Sequence, residues 1–272
     1  MKHSRRDFLV RFSAAATMIS AGGFEKLLAK ELFKVQPRVK LRFIVASDAH
    51  YGQPKTASKA MAMEFVAKAN AFHARQPCHF CVLNGDIIHD DPKLMPKAKR
   101  IFSTMRMPLY ATQGNHDRVT AKEWQRIWKM PVNHAFVAED HKVLLTTTSN
   151  TAGDYLSPDL GWLEAELQKD KDQDVLLFVH IPQKKWTKNA IETKAFFDLM
   201  GQHEHVRAIF HGHEHDQDGV YMEQGKPYIF DAHIGGSWGT DYSGFRVVEV
   251  LENKDIVTYM MNPDTEISRD VF

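Results

Sequence analysis

Five apolar runs in this chain stop abruptly on polar residues of one chemical kind, and that repetition constrains the fold more than any other feature. Leu41-Arg42-Phe43-Ile44-Val45-Ala46-Ser47 runs into Asp48-Ala49-His50, and Cys81-Val82-Leu83-Asn84 runs into Gly85-Asp86. Pro108-Leu109-Tyr110-Ala111-Thr112 leads to Gly114-Asn115-His116-Asp117, Val175-Leu176-Leu177-Phe178-Val179 to His180, and Val206-Arg207-Ala208-Ile209-Phe210 to Gly212-His213-Glu214-His215. Short apolar runs rich in β-branched and aromatic residues read as strands. Open α/β sheets collect their ligands at the carboxyl ends of such strands. A lone His-x-His is more often a surface or supporting pair than a ligand pair. Five successive strand ends that deliver Asp, Asn and His point instead to a metal site.

The segments between these runs set the fold class. Ser58 to Arg75 carries Met61, Phe65, Ala69 and Phe72 at helical spacing, and a helix is expected from about Pro92 to Met105, its start marked by Asp90-Asp91-Pro92. A further helix is expected over 120–129. Asn133 to Ala138 and His141 to Thr148 flank Glu139-Asp140, a hairpin pattern. Ser157-Pro158 predicts a helix start with Ser as N-cap, carried on by Leu160, Leu163 and Leu167. A strand at 174–179, a helix at 189–200 and a strand at 206–210 restore the first pattern, and short strands follow near 218–223, 227–231, 244–251 and 255–261. The order implies two packed β-sheets flanked by helices in one α/β (α+β) domain over 39–272, without internal repeats.

The strand-end groups are the carboxylates Asp48 and Asp86, the amide Asn115 and the imidazoles His50, His180, His213 and His215. Seven donors are too many for one tetrahedral zinc and suit two adjacent ions with mixed N/O shells. Two such ions about 3.5 to 4 Å apart clamp an in-line phosphoryl displacement, with attack by a metal-bound hydroxide formed near neutral pH.

Asp48-x-His50, Gly85-Asp86, Gly114-Asn115-His116-Asp117, His180 and Gly212-His213-x-His215 together resemble the motif set of the calcineurin-like metallophosphoesterases. The resemblance implies a four-layer αββα sandwich with two mixed sheets flanked by helices. It implies that Asp48, His50, Asp86 and His215 hold one metal, that Asp86, Asn115, His180 and His213 hold the other, and that Asp86 bridges. It also implies that His116 stands near the phosphoryl group as acid or charge stabiliser, so that Asp86 and His116 are the candidate catalytic residues. The two ions, divalent or trivalent, would be Mn, Fe or Zn. Gly85-Asp86-Ile87-Ile88-His89-Asp90 and the closing Asp117 depart from the Gly-Asp-x-x-Asp-Arg-Gly and Gly-Asn-His-Glu of the protein phosphatases. The pattern is closer to the cyclic-nucleotide and glycerophosphodiester branch, with His89 where that branch often has Asn or Asp. A small phosphodiester is therefore the expected substrate, a broad phosphomonoesterase the alternative, and a non-catalytic protein-binding scaffold a third reading. No domain large enough to cap the site follows, so an open pocket is expected.

Ser4-Arg5-Arg6-Asp7-Phe8-Leu9-Val10 resembles the twin-arginine export signal, and residues 1–35 are read as that signal or a tether. The 13 residues from Phe12 to Phe24 are too few for a stable membrane span. A periplasmic or secreted location through the export machinery is expected, and a cytoplasmic one if the signal does not function. The net charge of +1 lacks any basic block, so nucleic acid is not an expected partner. Cys78 and Cys81 read as buried or edge thiols rather than a chelating or redox pair, because an offset of three on a strand points them apart. His211 reads as a core residue, His203 and His205 as solvated, and His233 as a residue that could border the pocket together with Trp238 and Tyr242.

Overall fold

The computed structural model describes residues 37–262 and 265–272. The Arg5-Arg6 stretch lies outside them. Alternation along the first strand, β1 (Val39–Ala46), shows how the layers arise. Leu41, Phe43 and Val45 point to one side, and Ile44 and Ala46 to the other, so each face must be covered by a different layer.

β1 is joined in parallel to β2 (Phe80–Asn84), and β2 to β3 (Leu109–Thr112). On its other side β1 pairs antiparallel with β10 (Phe245–Leu251), followed by β11 (Ile256–Asn262) and β12 (Thr265–Val271). The second sheet has the order β4 (His134–Ala138), β5 (His141–Thr146), β6 (Val175–Val179), β7 (Val206–His211), β9 (Lys226–Phe230), β8 (Val220–Glu223). Its β5, β6, β7 and β9 are parallel, with an antiparallel strand at each edge. The expectation of two mixed sheets is met.

Between the sheets Phe43 stacks on Phe80 at 4.7 Å and meets Phe210 edge-on at 5.6 Å, while Phe178 stacks on Phe210 at 4.7 Å. Each such ring, fully buried, contributes roughly 1.5–3 kcal/mol of burial free energy. Ile44 and Ala46 pack instead with α1 (Ser58–Arg75), α2 (Met95–Phe102) and α3 (Ala121–Trp128). Leu177 and Val179 face α4 (Leu160–Lys169) and α5 (Lys194–Gln202). The result is helices, sheet, sheet, helices. No helix among the described residues is long and apolar enough to cross a membrane.

Local corrections are physical. The expected helix over 92–105 divides into a single 3-10 turn, Pro92–Leu94, and α2. The segment expected to be helical from 189 stays irregular until Lys194, because Thr187 and Asn189 turn their polar groups onto the buried Glu214 carboxylate. Cys81 lies in β2 and Cys78 just before it; both are free and buried, and burial pushes the Cys78 thiol up to about 12. His203 and His205 are half-buried rather than solvated, and β12 was not foreseen.

Ser157 does not cap α4. Its hydroxyl donates to the Pro158 carbonyl at 3.2 Å, and Asp159 accepts from the Trp162 N–H at 3.0 Å. Asp159→Ala is therefore expected to cost about 1 kcal/mol in urea unfolding, and Ser157→Ala almost nothing.

Candidate metal centre

The carboxyl ends of the parallel strands in both sheets meet at one place. There the chain turns sharply. Asp48, His50, Asp86 and His213 have φ of +57°, +41°, +50° and +71°, a left-handed region that Asp and His tolerate better than most residues. The Asp48 N–H donates to the Gly85 carbonyl and the His50 N–H to the Asp86 carbonyl, both at 3.0 Å, so the turns after β1 and β2 lock together. Gly85, at φ +91°, has the His180 ring where a Cβ would stand. Only glycine permits that approach.

The structure brings six of the candidate ligands into two triads, Asp48–His50–His215 and Asp86–His180–His213. Within each triad the ligand atoms lie within 4.8 Å of one another. His50 Nε2 is 3.0 Å from His215 Nε2, and His215 Nε2 is 3.2 Å from Asp48 Oδ1. Asp86 Oδ2 links the triads, 3.2 Å from His180 Nε2 and 3.8 Å from His50 Nε2. The seventh, Asn115, precedes His116, whose N–H donates to Asp86 Oδ1 at 2.8 Å.

Outer partners fix the imidazole tautomers. His180 Nδ1–H donates to the Asn84 carbonyl at 2.6 Å and His215 Nδ1–H to the Trp238 carbonyl at 3.1 Å, leaving both Nε2 atoms aimed inward. His50 Nδ1 lies 3.0 Å from His89 Nδ1. Asp48 Oδ2 accepts from the Ser47 hydroxyl and from the His213 N–H at 2.9 Å. Asp117 is spent on the backbone, accepting from Ile88 N–H at 3.0 Å and Gly114 N–H at 2.8 Å.

This donor set fits divalent cations. Asp48 Oδ1, Asn115 Oδ1, His180 Nε2 and His213 Nε2 are all buried without a hydrogen-bond partner, an arrangement that is costly unless something else satisfies them. His50 Nε2 and His215 Nε2 converge to 3.0 Å, and imidazole nitrogen is a ligand suited to transition-metal ions. Charge reads the same way. Burial alone would raise both carboxyls, but His215 and His180 hold Asp48 below the usual carboxylate range, and His180 and His50 hold Asp86 well below it. Against burial, Asp86 and Asp48 lift His180 to about 10. Burial brings His50 down to about 3, and burial with the nearby His180 charge brings His213 down to about 4. A cation held here would find the carboxylates of Asp48 and Asp86 favoured in their ionised form and the His50 and His213 imidazoles favoured neutral, and would compete with the proton that the same carboxylates favour on His180 and His215.

Sequence reasoning missed Asp90 and Tyr155 as neighbours of the centre, and the structure places His89, named from the sequence, there as well. Asp90 marks a helix start in the sequence, yet its Oδ1 is 3.0 Å from His116 Nδ1 and 2.8 Å from Arg118 Nε. His89 stacks on His116 with centroids 5.0 Å apart. Tyr155 meets His213 edge-on at 4.8 Å. An acid four residues after Asp86 was the one signal available for Asp90; Tyr155 had none. His233 is buried, hydrogen-bonded to the Gly235 carbonyl at 2.6 Å, and stacks behind His215 at 5.0 Å. His211 is a core residue whose Nδ1–H donates to the Val179 carbonyl at 2.9 Å. Tyr242 turns its hydroxyl to Asp218 at 2.5 Å.

Known proteins resemble this chain in sequence and fold. A probable glycerophosphodiester phosphodiesterase GpdQ from Arcobacter nitrofigilis is 27% identical over 154 residues, covering 49% of this chain and 55% of that protein. The chain thus spans about half the length of the curated relative it matches. Among solved structures, a dimetal phosphatase from Danio rerio superposes with a TM-score of 0.69 at 13% identity, over 86% of this chain and 99% of that one. A purple acid phosphatase from yellow lupin (Lupinus luteus) gives 0.65 at 11% identity, over 87% and 54%. At such identities these two speak for the fold. Residues 41–217 match the calcineurin-like phosphoesterases, and the chain belongs to that family.

Proposed function

We propose that the protein is a dinuclear-metal phosphoesterase that hydrolyses a small phosphodiester. The observation that carries this is the pair of triads joined by Asp86 Oδ2, with four buried donor atoms around them left without hydrogen-bond partners. In this reading Asp48, His50, Asp86 and His215 hold one ion, and Asp86, Asn115, His180 and His213 the other. When bound, the two ions supply an activated water and neutralise the phosphoryl oxygens. The chain's own part is orientation and proton transfer. Asp90 holds His116 through Nδ1, leaving Nε2 to donate to the departing oxygen. Preference for a diester draws on the glycerophosphodiesterase-like relative, and export through the Arg5-Arg6 stretch belongs to the same proposal.

The test is metal analysis of the purified full chain combined with a panel of mono- and diesters. About two ions per chain and faster turnover of diesters are expected. Faster turnover of monoesters would favour a broad phosphomonoesterase, and stoichiometric metal with no turnover of any ester would refute the enzyme reading.

A further inference from the structure

The loop between β9 and β10, residues 231–244, is tied to the same turns that carry the candidate ligands. Its Ile234 and Gly235 N–H groups donate to the Ser47 and Asp48 carbonyls, both at 3.0 Å, and Thr240 N–H donates to the His215 carbonyl at 2.9 Å. Gly239, at φ +123°, packs on His215 where a Cβ would collide. This brings the loop down until the Trp238 indole lies parallel to the His215 imidazole, centroids 4.4 Å apart and planes 10° apart, and 4.9 Å from His50.

A single exposed tryptophan is ordinary on a protein surface. Trp238 differs because it is held in place over candidate ligands of the centre and is still 45% exposed. A side chain serving purely as a cover for His215 would be expected to be buried itself. One face of the indole is occupied by His215, and the half-exposed ring stands 4.4 Å from one candidate ligand, His215, and 4.9 Å from another, His50, within reach of the organic part of a phosphoester bound at the centre.

We propose that Trp238 is a stacking platform for a planar group of the substrate, so that the site favours phosphoesters bearing a nucleobase or aryl ring over aliphatic ones. This rests on the phosphoesterase reading above. Stacking uses the ring face and not hydrogen-bonding edges, so the site should accept different bases and simple aryl groups alike.

The test is calorimetric titration of the metal-loaded full chain with phosphonates, whose C–P bond the centre does not hydrolyse. Benzylphosphonate is compared with cyclohexylmethylphosphonate, and an adenine-bearing alkoxyalkyl phosphonate with the same compound lacking adenine. The first pair tests planarity alone and the second a nucleobase. The planar member of at least one pair should bind about 10-fold tighter or more. Trp238→Ala should abolish that advantage while metal content stays at the wild-type level, and Trp238→Phe should keep part of it. Equal binding within both pairs, or an advantage that survives in Trp238→Ala, overturns the platform. An advantage lost in Tyr155→Ala instead assigns stacking to the ring edge-on to His213 and overturns it equally. Planar preference without turnover of any ester would sink the phosphoesterase reading and leave the platform standing. Turnover without planar preference would do the reverse.

Discussion

Asp86→Ala is expected to lower bound metal from about two ions per chain to below about one, while His50→Ala chiefly weakens one ion. The difference follows from position. Asp86 Oδ2 faces His180 and His50 from between the two triads, and Oδ1 takes the His116 N–H, so its loss disturbs both halves of the centre and the loop carrying His116. It also removes the first of the charges that keep His180 at about 10 against burial. A supporting residue behind a metal ligand typically costs 10- to 100-fold in affinity or activity, so a bridging ligand should exceed about 100-fold. Inductively coupled plasma analysis after gel filtration, with circular dichroism as a check on folding, reads the outcome. Asp86→Ala protein that retains the full wild-type complement would show that Asp86 does not bridge.

His116→Ala should separate proton donation from phosphate positioning. An alkoxide, whose conjugate acid lies near the pKa of water at ~15.7, needs a proton on departure. A nitrophenolate, more acidic than an ordinary phenol at ~10, hardly does. A positioned acid contributes roughly 10²- to 10⁴-fold. The variant should therefore lose on that order with an alkyl ester and far less with a nitrophenyl ester, both ions remaining bound. Asp90→Asn should follow the same pattern with a smaller loss, because Asp90 contacts the His116 ring at Nδ1 and would act through it. Equal losses on the two esters would assign His116 to binding of the phosphoryl oxygens.

What could be read without the structure was whatever depends on a residue's own neighbours in the chain. The order of strand-like and helical segments already implied two packed sheets, and in the structure Leu41, Phe43 and Val45 of β1 part from Ile44 and Ala46 accordingly. Each donor at a strand end was visible because an apolar run has to stop where a polar group appears, and the helix over Ser58–Arg75 followed from its apolar spacing. The grouping of those donors into triads depends instead on which strands lie side by side, and β1 and β2 in one sheet had to meet β6 and β7 in the other.

Partners chosen across the fold left little or no local trace. Asp90 and Asp91 begin a helical turn by the same chemistry, yet folding brings Asp90 to His116 while the Asp91 side chain caps Lys93. Glu214 looks like a spacer between two histidines, but in the turn after β7 its carboxylate meets Thr187 and Asn189, keeping that stretch out of the helix its own residues suggested. Trp238 could be noticed in a glycine-rich loop, whereas its position over His215 comes from hydrogen bonds to Ser47 and Asp48, nearly two hundred residues earlier. Propensity and periodicity act over a few residues, and so they determined the elements and the types of donor. Contacts between residues far apart in the chain decided which donors meet, which side chains orient them and what stands at the mouth.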